Sequence, residues 1–99
     1  MSEQAATAQA VATPFIDNPR TRVTEWRFAP GAETGWHRHD MDYVVVPGGD
    51  GALELHLPGG EIQHAQLRQG VPYFRQAGVE HNVINASAHE FSFVEIEFK

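Results

Sequence analysis

From Pro14 to Lys99 no stretch of the chain sustains the 3.6-residue apolar period of a helix, and turn-forming residues interrupt it again and again. The breaks fall at Ala29-Pro30-Gly31, Pro47-Gly48-Gly49, Pro58-Gly59-Gly60, Gly70 and Gly78, and they leave short runs of β-branched, aromatic and aliphatic residues between them. With no helices to cover an open sheet, such runs bury their apolar faces by packing sheet on sheet or by closing into a barrel, which also removes exposed strand edges. The fold class is therefore all-β.

Alternation within the runs assigns faces. Arg22 to Phe28 sets Thr24, Trp26 and Phe28 against Val23, Glu25 and Arg27, and Ala52 to Leu57 sets Leu53, Leu55 and Leu57 against Ala52, Glu54 and His56. Met41 to Val46, Glu80 to Asn85 and Glu90 to Lys99 complete a set of about seven or eight strands. Pro58 to Glu61, with two glycines available for positive φ, is read as a tight hairpin that pairs Leu57 with Ile62. In the last run Phe91 and Phe93 share one parity and Val94, Ile96 and Phe98 the other, so one apolar row faces the core and a second is available to another subunit. Residues 1–13, rich in Ala, Thr and Gln, are read as a flexible N-terminal arm, and residues 14–99 as one barrel domain.

Ninety-nine residues supply one modest core, which together with the second apolar row predicts a homodimer. Seven basic residues against thirteen acidic ones, with no Lys/Arg cluster, argue against nucleic acid as a partner. No apolar run approaches the roughly 18 to 20 residues of a membrane helix, and the first residues lack a basic, then apolar, leader pattern. A cytoplasmic protein with no membrane partner is expected. The chain has no Cys, so any metal ion must be held by His, carboxylate, Tyr or water.

Six histidines occur, at positions 37, 39, 56, 64, 81 and 89. His37 and His39 are two apart and point to the same face of an extended segment, the arrangement in which two imidazoles can share one ion. If both point inward, so do Met41, Tyr43 and Val45, whereas Asp40 and Asp42 point outward. A Leu57–Ile62 pairing sets His64 opposite Leu55 on the inward face, where it is either an acid, base or substrate contact or a solvated side chain. His56 and His89 are expected at the surface. Trp26, Phe28, Trp36, Tyr73 and Phe74 are expected mainly in the core, with one or two walling a pocket. Arg27 and Arg75 either bind a substrate carboxylate or pair with Glu25 or Glu80.

Gly31, His37, His39 and Tyr43 follow the spacing of the motif G-x5-H-x-H-x3-E, with a later Gly at 49 or 51, and Gly70, Gly78, His81 and Asn85 follow G-x5-P-x-G-x2-H-x3-N. In this order, over residues 20–98, they resemble the two motifs of the cupin superfamily. The chain looks most like small single-domain bacterial cupins, some of them labelled β-alanine degradation proteins. The resemblance implies a double-stranded β-helix, or jelly-roll, barrel with a divalent metal ion (Fe, Zn, Mn or Ni) on His37, His39 and His81.

Two positions depart from the family pattern, Gln76 where it has Pro and Tyr43 where it has the ligating Glu. Tyr43 then ligates as a phenolate, holds a metal-bound water or lines the pocket, and the second role is favoured because a phenol of pKa near 10 ionises reluctantly. Tyr43 and His64 are accordingly the catalytic candidates, while Asn85 either orients a ligand or caps its strand. The implied site is a three-histidine one, open to small anionic or carbonyl ligands. It suits a metal-dependent oxygenase, lyase or isomerase, or alternatively a non-catalytic small-molecule binding or sensing cupin, or a purely structural centre.

Overall fold

A computed structural model describes residues 8–99. It contains nine strands: β1 (Val11–Asp17), β2 (Thr21–Phe28), β3 (His37–Arg38), β4 (Asp42–Pro47), β5 (Gly51–His56), β6 (Ile62–Leu67), β7 (Tyr73–Arg75), β8 (Glu80–Asn85) and β9 (Phe91–Phe98). They form a five-stranded sheet in the order β1-β2-β9-β4-β7 and a four-stranded sheet in the order β3-β8-β5-β6. Every strand pairing is antiparallel. Chain-distant strands lie side by side in both sheets, as the double-stranded β-helix requires.

The inward rows of β2, β4 and β9 change character along their length. At one end Phe28, Val45, Phe91 and Phe93 are almost fully buried and pack with Leu53 and Leu67. The Phe28 and Phe93 rings lie 5.5 Å apart at a tilt, the offset geometry that aromatic pairs prefer. Toward the other end the same rows continue as Thr24, Tyr43, Glu95 and Glu97, all buried. Burial alternates strictly along β9, so these two carboxylates share the face of Phe91 and Phe93. The barrel thus has a dry, aromatic end and a polar end.

Three sequence expectations are revised. The segment read as a loose arm to residue 13 is ordered from β1 onward: Val11, Ala12 and Thr13 pair with Arg27, Trp26 and Glu25. Their backbone groups find partners on the free edge of β2, and polar composition alone did not reveal that edge. The part of the arm before residue 8 lies outside the described residues. Among the aromatics expected in the core, Phe28 is buried, and Trp26 and Tyr73 pack against the core. Trp36 and Phe74 are instead more than half exposed.

The turn after β5 supplies the third revision. Pro58–Gly60 forms a 3-10 turn closed by the Leu57 N–H on the Glu61 carbonyl, so Ile62 pairs with His56 and not with Leu57. A one-residue slip in a strand moves every side chain to the opposite face.

On the outer face of the five-stranded sheet, Ile16, Val23, Ile96, Val44 and Phe74 occupy successive cross-strand positions and form an apolar row across all five strands.

Candidate metal centre

His37 and His81 are direct cross-strand partners on β3 and β8, which sets their imidazoles side by side with ring centroids 4.7 Å apart. His39 lies just beyond β3. Its backbone N–H donates to the Val79 carbonyl, and its carbonyl accepts from the Gly78 N–H, so the segment stays extended and returns to the inward face. Gly78 makes that contact with φ at +104°, where a side chain would be strained.

The Nε2 atoms of His37 and His39 are 3.0 Å apart, and those of His81 and His39 are 3.3 Å apart. Nitrogen ligands about 2.1 Å from a shared ion lie about 3.0 Å apart at a right angle and about 3.4 Å apart at a tetrahedral angle. Both spacings are therefore those of ligands on one ion, and the three histidines bring one ligand atom each within 4.8 Å of the others. The tautomer of His37 agrees. Its Nδ1 is 2.9 Å from the Gly35 carbonyl, which can only accept, so the proton sits on Nδ1 and Nε2 keeps its lone pair. Gly35 reaches this position with φ at +85°.

Burial disfavours the charged form of these rings. His39 is pushed down to about 4, by burial first and by the neighbouring His37 second. His81 is pushed down to about 3, by burial and then by the charges of His37, His39 and Arg75. At neutral pH both present a lone pair with no proton to displace.

Two residues that the sequence reasoning did not single out complete the surroundings. Glu95 Oε2 is 3.9 Å from His39 Nε2, and Glu97 Oε2 is 3.9 Å from His39 Nδ1. His39, Glu95 and Glu97 are all buried and bring one ligand atom each within 4.8 Å of the others. Glu97 is directly across from Tyr43, and Glu95 from Val45. Carboxylates from the adjoining strand thus stand beside His39, although position 43 itself carries none. The signal was legible in principle, since positions 95 and 97 continue the inward parity of Phe91 and Phe93.

Burial, followed by the charge of Glu97, raises Glu95 to about 7, against a hydrogen bond from Trp26 and the charge of Arg22. Glu97 itself lies 3.6 Å from Arg22.

Tyr43 points inward as parity requires, and its ring stacks on His39 with centroids 4.0 Å apart. Burial raises its pKa above the ordinary phenol value, with the charge of Glu95 adding to the effect. Ligation as a phenolate is thereby disfavoured. What the structure shows Tyr43 doing is buttressing a histidine and lining the cavity.

His64 does not enter the site. The observed register pairs it with Glu54 on the outer face, where it is exposed, while Gln63 and Ala65 line the cavity. Replacement of His64 by alanine is expected to leave metal content and thermal stability within about 0.5 kcal/mol of the parent, which elemental analysis and a melting curve would check.

Asn85 has a structural role. It is 1% exposed and donates to the carbonyls of Phe28, Ala29 and His89 while accepting from the Ser87 N–H. Arg27 is occupied at the surface by Glu90 and Glu25. His37 and His81 open onto a cavity of about 480 Å³ walled by Leu53, Leu55, Val79, Val83 and Phe93, with Glu95 and Arg75 as its charged side chains. That volume is ordinary for a small-molecule site.

No family model matches the chain. Over 91 residues it is 66% identical to the β-alanine degradation protein BauB of Pseudomonas aeruginosa, covering 92% of this chain and 95% of that protein. A cupin domain from Bordetella pertussis Tohama I superposes with a TM-score of 0.92 at 58% identity, over 97% of this chain and 99% of that one. The polyketide cyclase RemF of Streptomyces resistomycificus shares the fold at 20% identity, with a TM-score of 0.70 over 93% of this chain and 66% of its own. The two motifs, the double-stranded β-helix and these likenesses agree: the chain belongs to the cupin superfamily, in the family of BauB.

Proposed function

We propose that the protein binds one divalent metal ion on His37, His39 and His81, with Glu95 as a carboxylate within reach, and acts as a metal-dependent enzyme on a small carbonyl or anionic compound. The observation that carries this reading is the Nε2 spacing of 3.0 and 3.3 Å in a triad of one half-buried and two buried histidines, of which His37 and His81 line a cavity of small-molecule size. An ion held on imidazoles supplies Lewis acidity, and with iron it also supplies access to dioxygen chemistry. The chain's own groups do the rest. Burial keeps His39 and His81 unprotonated, Tyr43 holds the plane of His39, and Glu95 is poised near neutrality to hold or release a proton. The name of the 66%-identical relative supports a role beside β-alanine breakdown.

The test is elemental analysis of protein purified without a histidine tag, followed by oxygen uptake with Fe(II) against a panel of thiols, diketones and small acids. One ion per chain with turnover of at least one compound is expected. Metal-free protein whose melting temperature ignores added divalent ions would sink the proposal. Stoichiometric metal without turnover would favour a binding or sensing cupin.

We also propose that a second copy of the chain covers the outer row Ile16, Val23, Ile96, Val44 and Phe74. Its continuity across five strands and the small core support this. Sedimentation should show a dimer, and Ile96→Lys should shift the protein to monomer with its circular dichroism retained. A parent protein that sediments as a monomer would refute it.

A further inference from the structure

Arg75 is the one Lys or Arg that lines the cavity among the described residues. Arg22, Arg27 and Arg38 lie 3.6, 3.0 and 3.6 Å from carboxylates, whereas Arg75 has no such partner among the described residues. Its guanidinium is nevertheless held in place. Nη1 donates to the Phe74 carbonyl at 3.1 Å, and Cζ stands 4.7 Å from the centre of the Tyr73 ring. The side chain is exposed on one side and lines the cavity on the other, and its positive charge favours the neutral form of His81 while opposing the effect of burial at Tyr43 and Tyr73.

The cavity is therefore electrically polarised. Glu95 on β9 and Arg75 on β7 flank β4 on either side, and Leu53, Leu55, Leu57 and Phe93 supply apolar lining to the same cavity. Arg75 is directly opposite Tyr43, whose ring stacks on His39, so its place on β7 adjoins the wall of the metal cage. In the metal-free protein an anionic group beside the histidines would meet the charges of Glu95 and Glu97, and a neutral oxygen would be repelled less. An anionic group at Arg75 gains a charge-assisted, forked contact.

We propose that Arg75 is the specificity-determining residue of the cavity, and that the ligand is a short carboxylic acid with an apolar body. Its carboxylate sits on Arg75, and a carbonyl or hydroxyl oxygen a few carbons away faces the histidines. This rests on the reading of the histidines as a metal cage only for the second half of the ligand. The carboxylate half stands on Arg75 alone.

Pyruvate, acetoacetate and levulinate move a carbonyl stepwise away from a carboxylate, and methyl levulinate lacks the charge. Titration calorimetry of the zinc-loaded protein should find at least one of the acids binding about tenfold or more tighter than methyl levulinate. In Arg75→Gln that acid should weaken about tenfold while the ester is unchanged, and Arg75→Lys should recover part of the difference. The same titrations on metal-free protein should keep the acid-over-ester preference at lower affinity. Persistence of the preference in protein that takes up no zinc would sink the metal reading and leave Arg75's role standing. Equal binding of acid and ester, an Arg75→Gln variant indistinguishable from the parent, or no measurable binding of any of the acids would overturn the proposal.

Discussion

Replacing His81 with alanine should weaken metal binding on the order of a thousandfold or more, with the barrel intact. His81 carries one of three histidine nitrogens close enough to share an ion, and the remaining pair, His37 and His39, supplies only two ligands. Because burial holds His81 at about 3, no proton competes for its lone pair at pH 7, and the loss on mutation is the loss of a ready ligand. The substitution removes a crowded imidazole from a cluster whose rings are 4.7 and 5.2 Å apart, at the polar end of the barrel and away from Phe28 and Phe93. Far-ultraviolet circular dichroism should therefore be unchanged. Competition against a chelator measures the affinity, and an unaltered value would remove His81 from the site.

Glu95→Gln should act in opposite directions on the metal-free and metal-loaded protein. In the folded chain Glu95 titrates near 7, against 4.5 for the free side chain, so the fold binds its proton more tightly than the unfolded chain does. That contribution to stability is fully present below about pH 4.5 and is lost as pH rises through about 7. At pH 8 the native protein must hold a buried carboxylate beside Glu97, at a cost of roughly 1–3 kcal/mol, which a neutral glutamine of the same shape avoids.

Metal-free Glu95→Gln should thus melt higher than the parent at pH 8, and the gap should close toward pH 5. His39 and His81 titrate the other way. Their depressed values give stability that is present above about 6.5 and lost as pH falls through about 4 and 3. Both proteins carry them, so they cancel in the comparison. With metal present the carboxylate faces a cation, and its removal should lower affinity about 10- to 100-fold. Calorimetric melts at both pH values, with and without chelator, read both effects. A melting difference that ignores pH would show that Glu95 is not held near neutrality.

The fold was largely legible because its determinants are local. Turn residues at 30–31, 47–49, 58–60, 70 and 78 bound the strands, and parity placed Leu53, Phe28 and Tyr43 inward, where they are found. The three histidines were legible because strand parity and motif spacing are both sequence-periodic. Reading failed where one residue of register decides a face. The turn at Pro58–Gly60 takes up one residue more than a tight hairpin, and His64 moved from the cavity to the surface. It failed also on β9. Glu95 and Glu97 were not singled out, although their positions carry the same inward phase as two core phenylalanines; acidic residues are seldom buried. Trp36 and Phe74 are the converse, large apolar side chains exposed at the surface.

The strands that meet at the site differ greatly in how firmly they are anchored. β9 is hydrogen-bonded on both sides, to β2 and β4, over nearly its whole length, whereas β3 is a two-residue strand at the edge of its sheet. The carboxylates ride on one of the last segments to open in any local unfolding, and His37 on one of the first. Closing a cage across that contrast would fasten a fraying margin to a fixed centre, so ligation would double as a clasp between the two sheets.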